Sequence, residues 1–271
     1  MAKVRVALCQ MKIGDKKEDN LSKAKLMLEK AADDGAEIVM LPEMFSCPYD
    51  IDCFRNYAEK LPYGVSGRML AEVARDKTIF IIGGSVPELG DNDVLYNTSL
   101  IFNSAGEVIG KHRKAHLFDV HVKNGIQFME SKVLSSGNQV TLVDTPWGKI
   151  GVMICYDIRF PEFSRMMALS DAQMIFVPAA FNLTTGPAHW ETLFKSRALD
   201  NQVFVLGNSP ARNEQASYVA YGHSIVVNPW GQIIQELDEG EGILAVELDL
   251  EQIKEVREAL PVWKQRRVDL Y

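Results

Sequence analysis

Cys155 closes the apolar run Lys149-Ile150-Gly151-Val152-Met153-Ile154, and Tyr156-Asp157-Ile158-Arg159-Phe160 leads from it to Pro161. Such a run reads as a buried strand, and a proline suits the first position of a helix. A side chain at a strand-to-helix corner faces outward at the carboxyl edge of a sheet, where α/β proteins bind ligands. The N–H groups that follow lack helical partners and point at the same space. Taken alone, a free cysteine is more often a small buried hydrophobe. Its company argues for chemistry, because Glu43 and Lys114 stand in similar strand-end contexts. Cys155 can act as a nucleophile, since a thiolate beside a cation has a lowered pKa. Lys114 can supply that cation and also a donor for a developing oxyanion, with the backbone N–H of Tyr156 as the second donor. Glu43 can take the thiol proton, give it to a departing nitrogen and then activate water. The bland alternatives are a solvated strand-end Glu43 and a Lys114 that belongs only to the wet basic run 111–114.

The elements that would position these groups are legible in outline. Residues 4–9 alternate as a first strand, and Asn20 can cap a helix striped by Leu21, Ala24, Leu28 and Ala31 that ends before Gly35. Residues 37–41 form a strand stopped by Pro42, which completes a β-α-β unit and implies a parallel sheet. Residues 45–63 read as a loop with one short helix, and Ser66 opens a helix through Ala74. Residues 78–82 are an apolar strand, and 96–102 with 107–111 form an antiparallel pair around Asn103-Ser104-Ala105-Gly106. Regular structure is weak from 114 to 137, as suits a segment folded over a site. Residues 140–143 and 150–154 flank Pro146-Trp147-Gly148-Lys149, residues 163–169 are helical and 174–177 are a strand. A helix follows from Pro187 to Ala198, then strands at 203–206, 224–227, 233–237 and 243–248, the last pairing nearby, and a charged helix at 251–260. The chain reads as one α/β domain over 1–271, with about 250–271 as a helix and tail.

Composition limits the partners. The protein is 47% hydrophobic and 24% charged, with a net charge of −7, which argues against nucleic acid or an anionic membrane. No apolar run approaches the roughly 20 residues of a spanning helix, and the start carries no signal-peptide block. Four cysteines, Cys9, Cys47, Cys53 and Cys155, do not make a disulfide framework. A cytoplasmic setting is expected. His112, His116 and His121 hint at zinc, but the His-Glu-x-x-His pattern is missing, so no metal is expected. With no phosphate-cradling glycine loop, no cofactor is expected either.

Leu41-Pro42-Glu43, His112-Arg113-Lys114-Ala115-His116-Leu117-Phe118 and Ile154-Cys155-Tyr156-Asp157-Ile158-Arg159-Phe160-Pro161-Glu162 resemble the three signatures of the nitrilase superfamily of carbon–nitrogen hydrolases. They stand in the family's order, and the resemblance covers nearly the whole chain. It implies a four-layer α-β-β-α sandwich, catalytic roles for Glu43, Lys114 and Cys155, and a second glutamate that holds the lysine, at Glu130. It also implies a homodimer or larger homo-oligomer, for which Phe163, Met166, Met167 and Trp263 are candidate contacts.

Phe45-Ser46-Cys47-Pro48-Tyr49, Gly83-Gly84-Ser85-Val86-Pro87-Glu88, Phe181-Asn182-Leu183-Thr184-Thr185-Gly186-Pro187 and Arg266-Arg267-Val268-Asp269-Leu270-Tyr271 are similar to the omega-amidase branch of that superfamily. This implies hydrolysis of the terminal amide of 2-oxoglutaramate and 2-oxosuccinamate to the 2-oxo diacid and ammonia, through a Cys155 thioester. Deaminated glutathione, or another carbamoyl or nitrile compound, is the rival substrate, and a non-catalytic scaffold the rival class. Phe45, Phe118, Met129, Tyr156 and Phe181 are candidate walls of a small pocket. Thr184, Thr185, the loop amides beside them and Arg159 are candidate receivers of a carboxylate. Arg159 is equally a candidate to form ion pairs with Asp157 and Glu162 that hold the corner.

Overall fold

The computed structural model describes residues 3–123 and 125–270. Met1 and Ala2, Asn124 of the stretch 114–137, and Tyr271 of the tail lie outside the described residues. In chain order the elements are β1 (Lys3–Gln10), α1 (Lys17–Asp33), β2 (Ile38–Met40), α2 (Phe54–Tyr57), α3 (Val65–Lys77), β3 (Phe80–Ile82), β4 (Val86–Leu89), β5 (Leu95–Phe102) and β6 (Val108–Arg113). Then come β7 (Asp119–His121), β8 (Gln127–Met129), β9 (Thr141–Thr145), β10 (Gly148–Val152), α4 (Pro161–Leu169), β11 (Ala172–Pro178) and α5 (Gly186–Asn201). The last are β12 (Phe204–Asn208), β13 (Ile225–Val227), β14 (Ile233–Glu236), β15 (Gly242–Asp249) and α6 (Glu251–Ala259). Among the described residues no helix is long and apolar enough to cross a membrane.

Two large sheets result. One runs β15-β1-β2-β3-β5-β4 with β6 paired to β5; the other runs β14-β13-β12-β11-β10-β9. The strand period of two sorts the side chains into layers. Val4, Val6 and Leu8 of β1 join Ile150, Val152, Met174, Phe176, Phe204 and Leu206 in a core between the sheets. Ala7, Cys9 and Val39, one residue out of step, pack instead with Ala24, Leu28, Leu70 and Val73 of α1 and α3. Ile175, Val177, Val203 and Val205 do the same with Met167 of α4 and with Trp190 and Phe194 of α5. The layers are therefore helix, sheet, sheet, helix. Strands buried on both faces must be apolar throughout, which explains the unbroken runs at β2, β3 and β11.

The two sheets are tied at the edge where the site lies. Asn208, ending β12, donates through Nδ2 to Met40 O at 2.6 Å and to Cys9 O at 3.3 Å. Its Oδ1 accepts from Ser224 Oγ at 3.0 Å.

Some expectations need correction. Asn20 lies inside α1, not at its cap, and its amide bonds both ways with Gly14, 2.8 Å each. β15 does not pair with its predecessors; it crosses to the other sheet and runs antiparallel to β1, Val6 opposite Val246. Strand β4 was not anticipated, because Pro87 obscures its pattern. Phe163 and Met167 are core residues, so they are not surface contacts, whereas Met166 is exposed.

Candidate active site

Each key residue sits at the carboxyl end of a strand. Glu43 follows β2 after Leu41-Pro42, and there the neighbouring chain crosses so closely that a Cβ on Gly84 would lie 2.2 Å from Pro42 O. Gly84 has φ +55°, so glycine alone meets both demands. Lys114 lies just beyond β6 and donates its N–H to Asn97 O at 2.8 Å. Alternation divides the basic run. Arg113 pairs with Glu88 at 2.8 Å and Lys111 with the same carboxylate at 3.2 Å, while His112 and Lys114 turn inward. Cys155 opens a single 3-10 turn, Cys155–Arg159, between β10 and α4, which starts at Pro161 as expected. Its φ is +45°, a conformation a non-glycine residue holds only where the surroundings enforce it.

Glu43, Lys114 and Glu130 are fully buried and converge. Lys114 Nζ donates to Glu43 Oε1 at 2.9 Å, Glu130 Oε1 at 3.0 Å and Tyr49 Oη at 3.2 Å. Those contacts use all three ammonium hydrogens. Tyr49 Oη in turn lies 2.6 Å from Glu130 Oε1 and donates to it, and Glu130 Oε2 accepts from Phe118 N at 2.7 Å. Glu43 Oε1 also accepts from Asn97 Nδ2 at 2.8 Å, whereas Glu43 Oε2 is buried without a nitrogen or oxygen partner among the described residues. The Cys155 thiol faces the Glu43 carboxyl, and the Ala180 N–H is directed at its sulfur.

Two carboxylates around one ammonium set the electrostatics. Burial pushes the Glu43 carboxyl above its ordinary range; Lys114 opposes this and Glu130 adds to it. Burial alone would lower Lys114, but Glu130 and Glu43 outweigh it and keep the ammonium charged. Burial and the Glu43 charge push the Cys155 thiol well up, with Lys114 opposing. The expected lowering of the thiol pKa is thus not found: burial first, and then the Glu43 charge, outweigh the lysine. The resting sulfur is a thiol, and its attack requires a base.

A second buried carboxylate holds the corner. Asp157 Oδ1 accepts from His116 N at 2.8 Å and lies 2.7 Å from His116 Nδ1; Oδ2 accepts from Ile154 N at 3.0 Å and lies 3.0 Å from His112 Nε2. Burial would raise this carboxyl, yet the histidine hydrogen bonds hold it well below the usual range. Two of the three histidines that hint at zinc, His112 and His116, are thereby committed to Asp157, and among the described residues no cluster suits a metal ion.

A crevice with about 10 Å³ of free volume opens onto Cys155, lined by Phe118, Tyr156, Arg159, Phe181, Thr185 and Tyr218 among others. Arg159 forms no ion pair with Asp157 or Glu162. It lies over the rings of Tyr156 and Phe181, 5.5 and 4.8 Å from their centroids, and donates to His189 Nδ1 at 3.1 Å. Its Nε is buried with no partner among the described residues. Phe45 is not in the crevice. Met44, at φ +52°, turns the chain back, and Phe45 enters the core under α1 and α3. Met129 and Thr184 are exposed and outside the lining. The loop amides expected to meet an anion are partly spent, since Thr184 N and Thr185 N donate to Asn182 Oδ1 at 2.8 and 3.0 Å. Tyr49, Asn97, Ala180 and Tyr218 were not anticipated. Of these, Tyr49 stood in a stretch quoted above for its resemblance, and Asn97 in Leu95-Tyr96-Asn97-Thr98, which is similar to the same branch.

A carboxyl, an amine and a thiol at three strand ends of a helix-sheet-sheet-helix fold define a class, and comparison with known proteins gives the same one. The model of the carbon-nitrogen hydrolase family matches residues 5–258, and the chain belongs to that family, the nitrilase superfamily, as an amidase. It is 49% identical over 271 residues to the omega-amidase NIT2-A of Xenopus laevis, covering all of this chain and 98% of that one. The crystal structure of Saccharomyces cerevisiae Nit3, a member of branch 10 of the superfamily, superposes with a TM-score of 0.90 at 46% identity, covering 98% of this chain and 97% of the other. A mutant of the amidase from Nesterenkonia sp. AN1, 26% identical with a TM-score of 0.78 over 96% of this chain and 99% of that one, shows the result of Michael addition of acrylamide at its active-site cysteine.

Proposed function

We propose that this amidase removes the terminal amide of short 2-oxo dicarboxylic acid monoamides, 2-oxoglutaramate and 2-oxosuccinamate, as ammonia. The observation that carries the reading is Arg159, a guanidinium without a carboxylate partner among the described residues, lining the crevice that holds Cys155. A half-buried cation left open beside a nucleophile suits a substrate with its own carboxylate, and a planar fork suits it best. Thr185 lines the same crevice and offers a hydroxyl. The sequence similarity to an omega-amidase supports the same substrate class.

Attack by Cys155 Sγ on the amide carbon sends the thiol proton to Glu43, which burial makes a stronger base than an ordinary glutamate. Once neutral, Glu43 loosens its hold on Lys114, and the ammonium turns part of its field toward the oxyanion, joined by the Tyr156 N–H. Glu43 then protonates the departing nitrogen, leaving a thioester. Water, deprotonated by the same carboxylate, releases the 2-oxo diacid and restores the thiol. Glu130 and Tyr49 hold Lys114 throughout. On this reading the exposed Met166 and Leu169 of α4 also contribute to a homodimer or larger assembly, which light scattering tests.

The substrate is tested by ammonia release from 2-oxoglutaramate, deaminated glutathione and a neutral short amide, with wild type and Arg159→Met. The expected result is highest kcat/KM on 2-oxoglutaramate, falling about 100-fold in Arg159→Met, as for loss of a charge-assisted contact worth about 2–3 kcal/mol. The neutral amide should lose little. Preference for deaminated glutathione, or equal losses on all three, would contradict the assignment.

A further inference from the structure

Ala180 and Tyr218 wall two cavities at once. In front is the crevice with Cys155 and Arg159. Behind is a chamber of about 220 Å³ that reaches Glu43 and is bordered by the exposed side chains of Asp15, Gln215 and Ser217. The chamber thus ends against the fully buried Glu43, and the Cys155 thiol faces the same carboxyl from the front. Tyr218 fixes the wall, donating to Ala180 O at 2.6 Å and accepting from Asn182 Nδ2 at 3.4 Å. Glu43 lines the chamber while its Oε2 is buried with no nitrogen or oxygen partner among the described residues.

Charge separates the two compartments more clearly than size. The described lining of the rear chamber includes two carboxyl groups, Asp15 and Glu43, and no Lys, Arg or His. A second anion 4 Å from either would be repelled by about 1–4 kcal/mol, depending on how wet the chamber is. The larger cavity is therefore wrong for the substrate carboxylate, which belongs in front with Arg159. Water, ammonia and ammonium suit it, and it has room for several such molecules.

The geometry points to a division of traffic: the acyl chain is held in front, while ammonia leaves and the hydrolytic water arrives through the rear chamber past Glu43. This rests on the amide hydrolysis described above. In the first half, RC(O)NH2 and Cys155–SH give RC(O)–S–Cys155 and NH3, the proton passing from sulfur through Glu43 to nitrogen. In the second, RC(O)–S–Cys155 and H2O give RCO2H and Cys155–SH, the proton passing from water through Glu43 to sulfur. While the thioester exists the acyl chain occupies the front, which must widen from its about 10 Å³ of free volume to take it. The small molecules that exchange at its carbonyl then need a path of their own, and the chamber supplies one beside the carboxylate that moves their protons.

Ala216 and Ser217 line the chamber outside the catalytic set, so Ala216→Phe and Ser217→Trp would obstruct it from within and at its mouth. Ammonia release from 2-oxoglutaramate gives kcat and KM, and alkylation of Cys155 by iodoacetate reports entry through the front. The expected result is kcat lowered at least tenfold in both variants, KM unchanged or lower, alkylation within twofold of wild type, and normal turnover in Ala216→Ser. Unchanged kcat in two folded variants, their rings seen in the chamber by crystallography, would overturn the inference. So would a raised KM at constant kcat, which would put the acyl chain in the rear, or equal losses of alkylation and turnover. If wild type prefers another amide, the substrate assignment fails separately and the variants are scored on that amide.

Discussion

Glu43 and Asp157 are both buried carboxylates a short distance from Cys155, and their surroundings drive them in opposite directions. Asp157 spends both oxygens, each on one backbone N–H and one imidazole nitrogen. Its pKa falls despite burial. Glu43 crowds Lys114 and Asn97 onto one oxygen, shares the lysine with Glu130, and leaves the other oxygen without a nitrogen or oxygen partner among the described residues. Its pKa rises. Asp157 has its oxygens engaged by the groups that hold the corner, whereas Glu43 leaves one oxygen clear of nitrogen and oxygen partners and turns its carboxyl to the Cys155 thiol.

Exchanging charge for shape at each carboxylate tests that contrast most strongly. Glu43→Gln should lower kcat by about 10²- to 10⁴-fold, as for loss of a positioned base, with a melting temperature equal to or above wild type because repulsion with Glu130 is relieved. A Glu43→Gln protein that kept its turnover would break the comparison. Asp157→Asn should do the reverse. Its amide must set one N–H donor against the Ile154 N–H or an imidazole, and breaking a buried charged network costs on the order of 3 kcal/mol. Denaturant unfolding at pH 7 measures this, and a loss under about 1 kcal/mol would make Asp157 incidental.

Acid should separate the two carboxylates without mutation. Glu43 must be ionised to accept the thiol proton, and its pKa is raised, so turnover should fall with decreasing pH while still above the usual glutamate value of about 4.3. Asp157 has a depressed folded pKa, so its stabilisation is present above the unfolded value of about 3.9 and is lost as pH falls from there toward the folded value. Activity should therefore fail at a higher pH than the fold does. Rates and circular dichroism from acid to neutral pH check the order, and coincident losses would remove the distinction.

Much of the fold was legible because strand and helix periods differ so plainly. β1, β2, β11 and α5 follow from their apolar patterns, and the strand ends follow from Pro42 and Pro161. Pairing was less so. β15 resembles any edge-compatible strand, and only the three-dimensional path sends it back to β1. At the site, Glu43, Lys114, Cys155 and Glu130 stand out because their local sequences are distinctive. Phe45 misled because one left-handed residue, Met44, reverses the direction of the side chain after it. Asn97, Tyr218 and the histidines on Asp157 act across 36 to 54 residues of sequence, and no local pattern carries such contacts. The raised thiol pKa was equally hidden, since it depends on how deeply the fold buries the sulfur and on the Glu43 charge brought beside it.

The account stands on a sulfur that becomes acylated with Glu43 as its base. Rapid mixing with excess 2-oxoglutaramate, acid quenching and intact-mass analysis tests it directly. An adduct of the acyl group on Cys155, formed together with the first equivalent of ammonia and missing in Cys155→Ala, is predicted. Ammonia release at near wild-type rate by Cys155→Ala, with no adduct at any quench time in wild type, would contradict it.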